Sequence, residues 1–181
     1  NGDIHTANQN FAGLKSRDEA KTFIYALIYG AGDAKIGSIV NGNREAGRAL
    51  RERFLGSLPT LAALKSRVER ASEKKYLKGI DGRKILLRHK HASLNTLLQG
   101  SGAILMKKGL TILDSLLKLN AIDYKFVANI HDEWQIEVKE SQAEFVGELA
   151  VNSIIDAGKH FNLRCPMDGE YKIGDNWSET H

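Results

Sequence analysis

Two stretches carry residue types that could do chemistry. In "SRDEAKTFIYALIYGAG", Ser16 to Gly32, residues Arg17, Lys21 and Tyr25 recur every four positions and Tyr29-Gly30 close the run. On a helix, residues four apart are offset by about 40° around the axis and ~6 Å along it. These side chains therefore form one slowly turning stripe of two cations followed by two rings. Arg17 to Tyr25 spans ~12 Å of helix, about the reach of an extended nucleoside triphosphate. Arg and Lys neutralise phosphates, one with a planar fork and the other as a point charge, and a ring can pack on sugar and base. His5, in "DIHTANQ" just upstream, is a candidate for a further phosphate contact. The same spacing also suits a plain amphipathic helix with Phe23, Ile24, Leu27 and Ile28 toward a core and Arg17 and Lys21 toward water, and spacing by itself favours that bland alternative.

The second stretch is "NIHDEWQIEV". A hairpin tip holds a carboxylate at an exposed position, where Asp132 could ligate Mg²⁺, a hard ion that prefers oxygen ligands. Two such ions about 4 Å apart can activate an attacking hydroxyl and stabilise a leaving pyrophosphate. Glu133 would add negative charge or hydrogen-bond nearby groups. The ordinary alternative is a turn that happens to carry Asp.

The elements that must position these groups are legible in outline. Ser16 with Glu19 reads as a capping box that starts a helix at Arg17, and Gly30-Ala31-Gly32 should end it. A short helix is expected near Asp33–Val40, longer ones over about Arg44–Leu55 and Pro59–Lys75. "YLKGIDGRKILLR" suggests a hairpin or extended loop around Asp81-Gly82. Ser93 to Leu119 is helical in pattern; Gly100 and Gly102 suggest close approach of another backbone. Two β-rich runs, Tyr124–Ile130 and Trp134–Val138, flank His131-Asp132-Glu133. Ser141 with Glu144 reads as a second capping box, opening a helix to about His160, and the tail from Leu163 to Trp177 should be extended. The class is α+β, many helices around a small antiparallel sheet.

Composition permits this. Of 181 residues 42% are hydrophobic, enough for a real core. The single cysteine, Cys165, cannot form an intramolecular disulfide, which suits a reducing compartment. No apolar run approaches the ~20 residues of a membrane span. Net charge is +4, but between Leu61 and Lys90 ten Lys/Arg face three acids. Such a local excess favours a polyanionic partner, or else is an ordinary solvated face.

Together these segments resemble the polymerase-I-like, family A DNA polymerases over the whole chain. The Arg17–Gly30 stripe resembles their motif B and "HDE" at 131–133 their motif C. "GDIHT", "KGIDGRK", "HASLNTLLQGSGA" and the ending "NW…H" are most similar to replicative polymerases of short-tailed, T-seven-type bacteriophages. The resemblance implies an incomplete right-hand fold: a mostly helical fingers subdomain over about residues 1–90, and over about 91–181 a palm portion whose small antiparallel sheet is the motif C hairpin. It implies template-directed transfer of deoxynucleotides to a primer 3′-OH, with two Mg²⁺ ions in the complete enzyme. His5, Arg17 and Lys21 would bind the triphosphate, Lys21 protonating the departing pyrophosphate, and Tyr25 would line the sugar pocket. Tyr29 and Gly30 would border the templating base. Arg83 and the basic cluster would hold phosphates, while His91, Asn95 and Gln99 would face the primer–template duplex. Asp132 would be a metal-bridging aspartate, with Glu133 beside it and His131 by the primer end.

Motif A, with the other metal-binding aspartate, lies upstream of "GDIHT" in the family and is absent here. The expectation is therefore a part of a longer or split enzyme, inactive alone, whose partners are primer–template DNA, deoxynucleoside triphosphates, the remaining N-terminal part, and host thioredoxin through a segment this chain lacks. The implied place of action is the cytoplasm of an infected bacterium, with no membrane partner. Two rivals are a single-subunit phage-type RNA polymerase, against which Glu133 and Tyr25 argue, and a non-catalytic DNA-binding module.

Overall fold

A computed structural model describes residues 3–180, which fall into two compact units, the first ending at Leu98 and the second beginning at Gln99.

The first unit is built from five helices and a small hairpin: α1 (Ile4–Ala12), α2 (Arg17–Ile28), α3 (Asp33–Ile39), α4 (Arg44–Ser57), α5 (Pro59–Ala71), β1 (Tyr76–Lys78) and β2 (Lys84–Leu86). α1 is a helix that the polar opening of the sequence did not suggest. Its start is specified by Asp3, whose carboxylate accepts from the His5 N–H at 3.1 Å and the Thr6 hydroxyl at 2.8 Å. Its end is specified by Gly13 at φ 65°. The core gathers residues from the first four helices: Ala12 of α1, then Ala20, Phe23 and Leu27 of α2, Ile36 of α3, and Leu50 and Phe54 of α4. Phe23 and Phe54 meet edge to face, 5.1 Å between centroids. α3 and α4 pack backbone to backbone, since a Cβ on Gly47 would lie 1.9 Å from the Asp33 carbonyl oxygen. α5 stops at Ala71, four residues before the expected end, and tightens into a 3₁₀ turn at Ser72–Lys74. A second cluster, Val68, Leu77 and Leu94, joins α5, β1 and the first turn of α6 (Ser93–Leu119).

In the second unit the antiparallel pair β3 (Tyr124–Ile130) and β4 (Glu133–Val138) lies on Leu113 and Leu117 of α6 and Val146 of α7 (Ala143–His160). Val127 is a bulge between the Phe126–Ile136 and Ala128–Gln135 pairs. α6 runs through Gly100 without a break, and at Gly102 no atom lies within 4 Å of where a Cβ would stand, so no second backbone approaches there among the described residues. The expected capping box of α7 does not form. A 3₁₀ turn, Glu140–Gln142, precedes the helix, Gln142 takes the cap position without a side-chain bond, and the Glu144 carboxylate instead accepts from the Tyr171 hydroxyl at 2.7 Å. The tail is irregular up to α8 (Trp177–Thr180), a last helical turn that the sequence did not announce.

Candidate functional site

The Ser16–Glu19 capping box forms as expected. Ser16 Oγ accepts from the Glu19 N–H at 3.1 Å, and the Glu19 carboxylate accepts from the Ser16 N–H at 3.3 Å. With Ala20, Phe23 and Leu27 buried, Arg17, Lys21, Tyr25 and Tyr29 are left exposed on the outer side of α2. The stripe is therefore a surface, held from beneath by the core.

The helix entering before it completes this face. His5 of α1 stands 6.4 Å from the Tyr25 ring, and its Nδ1 is buried without a hydrogen bond. Arg17 is paired: its Nε donates to Asp3 Oδ2 at 2.5 Å and its second amino group to Oδ1 at 3.3 Å. This pair, helped by Thr6, holds the Asp3 carboxyl far below the usual carboxylate range, and Asp3 raises Arg17 in turn. Lys21 has no ion-pair partner among the described residues. His5, Arg17, Lys21 and Tyr25 thus share one face of the first unit, and one of its two helical cations is already occupied.

Tyr29 caps α2, and Gly30 follows at φ 78°. A Cβ on Gly30 would fall 2.0 Å from the His91 carbonyl oxygen, so only glycine fits. His91 stacks on His89, 5.5 Å apart, in the turn that leads into α6. Asn95 occupies the first turn of α6, its Oδ1 buried and unbonded, and Gln99 is exposed one turn on. Arg83, at the β1–β2 tip, is held by Asp81 at 2.5 Å. The basic segment is partly self-neutralised, through Lys65 with Glu69 and Lys90 with Glu73. An open groove of about 650 Å³ there is lined by Ser66, Glu69, Arg70, Glu73, Lys90 and His91.

In the second unit the strands close on the Ile130–Glu133 pair, one residue nearer the tip than the sequence suggested. The tip is therefore His131-Asp132, with His131 at φ 52°. Asp132 is exposed and makes no hydrogen bond or ion pair with the described residues. Glu133 lies on β4, half-buried, and its Oε1 accepts from the Gln135 side-chain amide and, at 3.0 Å, from the Trp177 indole N–H. Trp134 braces the hairpin: a Cβ on Gly109 of α6 would lie 2.9 Å from its ring. Neither Trp177, in the "NW" ending, nor Gln135 shows this task in the sequence, since nothing local couples Trp177 to Glu133, 44 positions away. No group of three or more His, Cys, Asp or Glu that could hold a metal occurs among the described residues. Asp132, a free oxygen donor open to solvent, fits one ligand position of a hard divalent ion, and the remaining ligands must come from elsewhere.

A sequence model described as DNA polymerase family A matches residues 1–179. The DNA-directed DNA polymerase of Escherichia phage Phieco32 is 42% identical over 187 residues, covering 99% of this chain and 30% of that protein. That of Escherichia phage T7 is 39% identical over 203 residues, 100% of this chain and 29% of that protein. The chain thus spans about three tenths of the length of these curated relatives. The solved POL domain of Pol1 from M. smegmatis, in complex with DNA primer-template and dNTP, is similar in fold, with a TM-score of 0.77 at 20% identity over 86% of this chain and 31% of that one.

Proposed function

The chain belongs to DNA polymerase family A, and we propose that it supplies the fingers and part of the palm of a template-directed DNA polymerase of a bacteriophage, acting in the cytoplasm of the infected cell. The primer 3′-hydroxyl would attack the α-phosphate of a deoxynucleoside triphosphate and release pyrophosphate. The observation that carries this proposal is the face of α2, where His5 and Tyr25 lie 6.4 Å apart beside Arg17 and Lys21.

Each residue then has a task suited to its chemistry. Arg17 would exchange the Asp3 carboxylate for a phosphate. That exchange is cheap because the pair is open to water, with side chains 51% and 38% exposed. Lys21 would bind the same phosphates and give a proton to the leaving pyrophosphate. Tyr25 would bound the sugar, and Tyr29 with Gly30 would border the templating base. His91, Asn95 and Gln99 would face the duplex; an amide such as Gln99 can donate to the minor-groove acceptors that every correct pair presents. Arg83 and its basic neighbours would hold backbone phosphates, giving a salt-dependent affinity. His131 would lie by the primer end. Asp132 would be one ligand of two Mg²⁺ ions, which when bound activate the hydroxyl and offset the charge of the leaving group. Fingers over about residues 1–90 and palm from about 91 is the division we propose, with host thioredoxin recruited through another segment of the complete protein. No helix among the described residues is long and apolar enough to cross a membrane.

The test is primer extension. The 181-residue chain alone should not extend a primer, because a second metal-binding carboxylate is needed. Joined to an upstream part that supplies it, the polymerase should do so with deoxynucleotides, and Asp132→Asn should lower the rate by about a thousandfold, the several kcal/mol that a metal-bound transition state stands to lose. Preference for ribonucleotides, or an unaffected Asp132→Asn enzyme, would refute the proposal.

A further inference from the structure

The hairpin tip is not held by the hairpin alone. The Trp177 indole N–H and the Gln135 amide both donate to Glu133 Oε1. The Thr180 hydroxyl lies 3.2 Å from both Gln135 Oε1 and the Trp177 carbonyl, linking the two ends of α8 to the same pair of strand residues. The turn presenting Trp177 is itself fixed. The Asp175 N–H and the Asn176 amide donate to the Glu179 carboxylate at 2.9 and 2.6 Å, and the Ser178 N–H donates to Asn176 Oδ1 at 3.1 Å.

We propose that Trp177 is a positioning residue that anchors Glu133: the last helical turn clamps the strand next to Asp132 and so sets how the tip presents Asp132. A carboxylate accepting an indole N–H makes a charge-assisted bond, stronger than one between neutral groups. Asp132, two atoms of chain away, has no such partner, which divides the adjacent acids into a presented one and a fixed one. This inference rests on Asp132 being the metal-binding carboxylate, and the experiment separates the two.

In the polymerase that carries this segment, Glu133→Gln keeps an oxygen acceptor and should retain incorporation within about threefold, whereas Glu133→Ala and Trp177→Phe should each lose about tenfold, the effect of one charge-assisted hydrogen bond. The double variant Glu133→Ala with Trp177→Phe should be no worse than Glu133→Ala alone, and the Mg²⁺ concentration for half-maximal rate should stay unchanged in Glu133→Gln. A Glu133→Gln enzyme as impaired as Asp132→Asn, or one needing more Mg²⁺, would make Glu133 a metal ligand and overturn the proposal. In the 181-residue chain, the Trp177 indole N–H resonance should shift in Glu133→Ala; an indole signal indifferent to that substitution would overturn the clamp even if Asp132→Asn behaves as proposed. A harmless Asp132→Asn with an intact indole response would remove the metal reading and leave the clamp standing.

Discussion

The face of α2 and the tip of the β3–β4 hairpin are secured by opposite means. On α2 the constraints are local or open to water: a capping box within three residues, and the Asp3–Arg17 pair in solvent. The exposed side chains ride on a buried apolar underside, and under the proposed function Arg17 trades Asp3 for a phosphate. At the hairpin, Glu133 is tied to a residue 44 positions later and Trp134 lies against Gly109 of α6. A surface that must release and rebind its ligand in each cycle gains from exchangeable ion pairs, which are individually weak. A carboxylate that must not move gains from bonds fixed by tertiary structure.

The largest expected effect comes from removing the underside. Phe23→Ala should cost about 3–5 kcal/mol, measured by denaturant unfolding, because Phe23 is fully buried against Phe54. Gly30→Ala should cost ~3 kcal/mol, from a left-handed backbone and a Cβ driven into the His91 carbonyl; a neutral result would disprove the backbone contact. Ser16→Ala should cost about 1 kcal/mol as a lost cap, while Ser141→Ala should stay within ~0.5 kcal/mol, since no cap forms there. Equal losses at the two serines would restore the second capping box. The smallest effect is acid-dependent. The folded Asp3 carboxyl titrates below its unfolded value, so the stabilisation is fully present above about pH 4 and disappears as pH falls through the lowered folded value. Carboxyl NMR should find that midpoint raised in Arg17→Gln, yet still below the ordinary value, because the Thr6 hydroxyl and the His5 N–H remain as donors.

What could be read in the sequence was what a few neighbouring residues decide. Ser16 and Glu19 specify a helix start by themselves, the leucine spacing defines α6, and alternating β-rich residues define β3 and β4. Ser141 and Glu144 have the same spacing but failed as a cap, because the Tyr171 hydroxyl, 27 residues on, takes the Glu144 carboxylate. α1 was hidden because it is only nine residues long and carries no capping box, its start resting on Asp3 with the His5 N–H and the Thr6 hydroxyl. Arg17 could be singled out from its spacing, but its Asp3 partner could not, since that pairing depends on how α1 and α2 meet. The task of Trp177 was illegible for the same reason: one hydrogen bond between distant segments has no periodic trace.

The contact at Gly30 has a mechanical meaning. With no side chain between them, the turn after Tyr29 and the turn before α6 touch main chain to main chain, although Gly30 and His91 are 61 positions apart in sequence. No rotamer change can cushion a displacement there. The turn before α6, where His91 sits, therefore bears directly on the turn that ends α2, and any side chain placed between them would have to push the two apart.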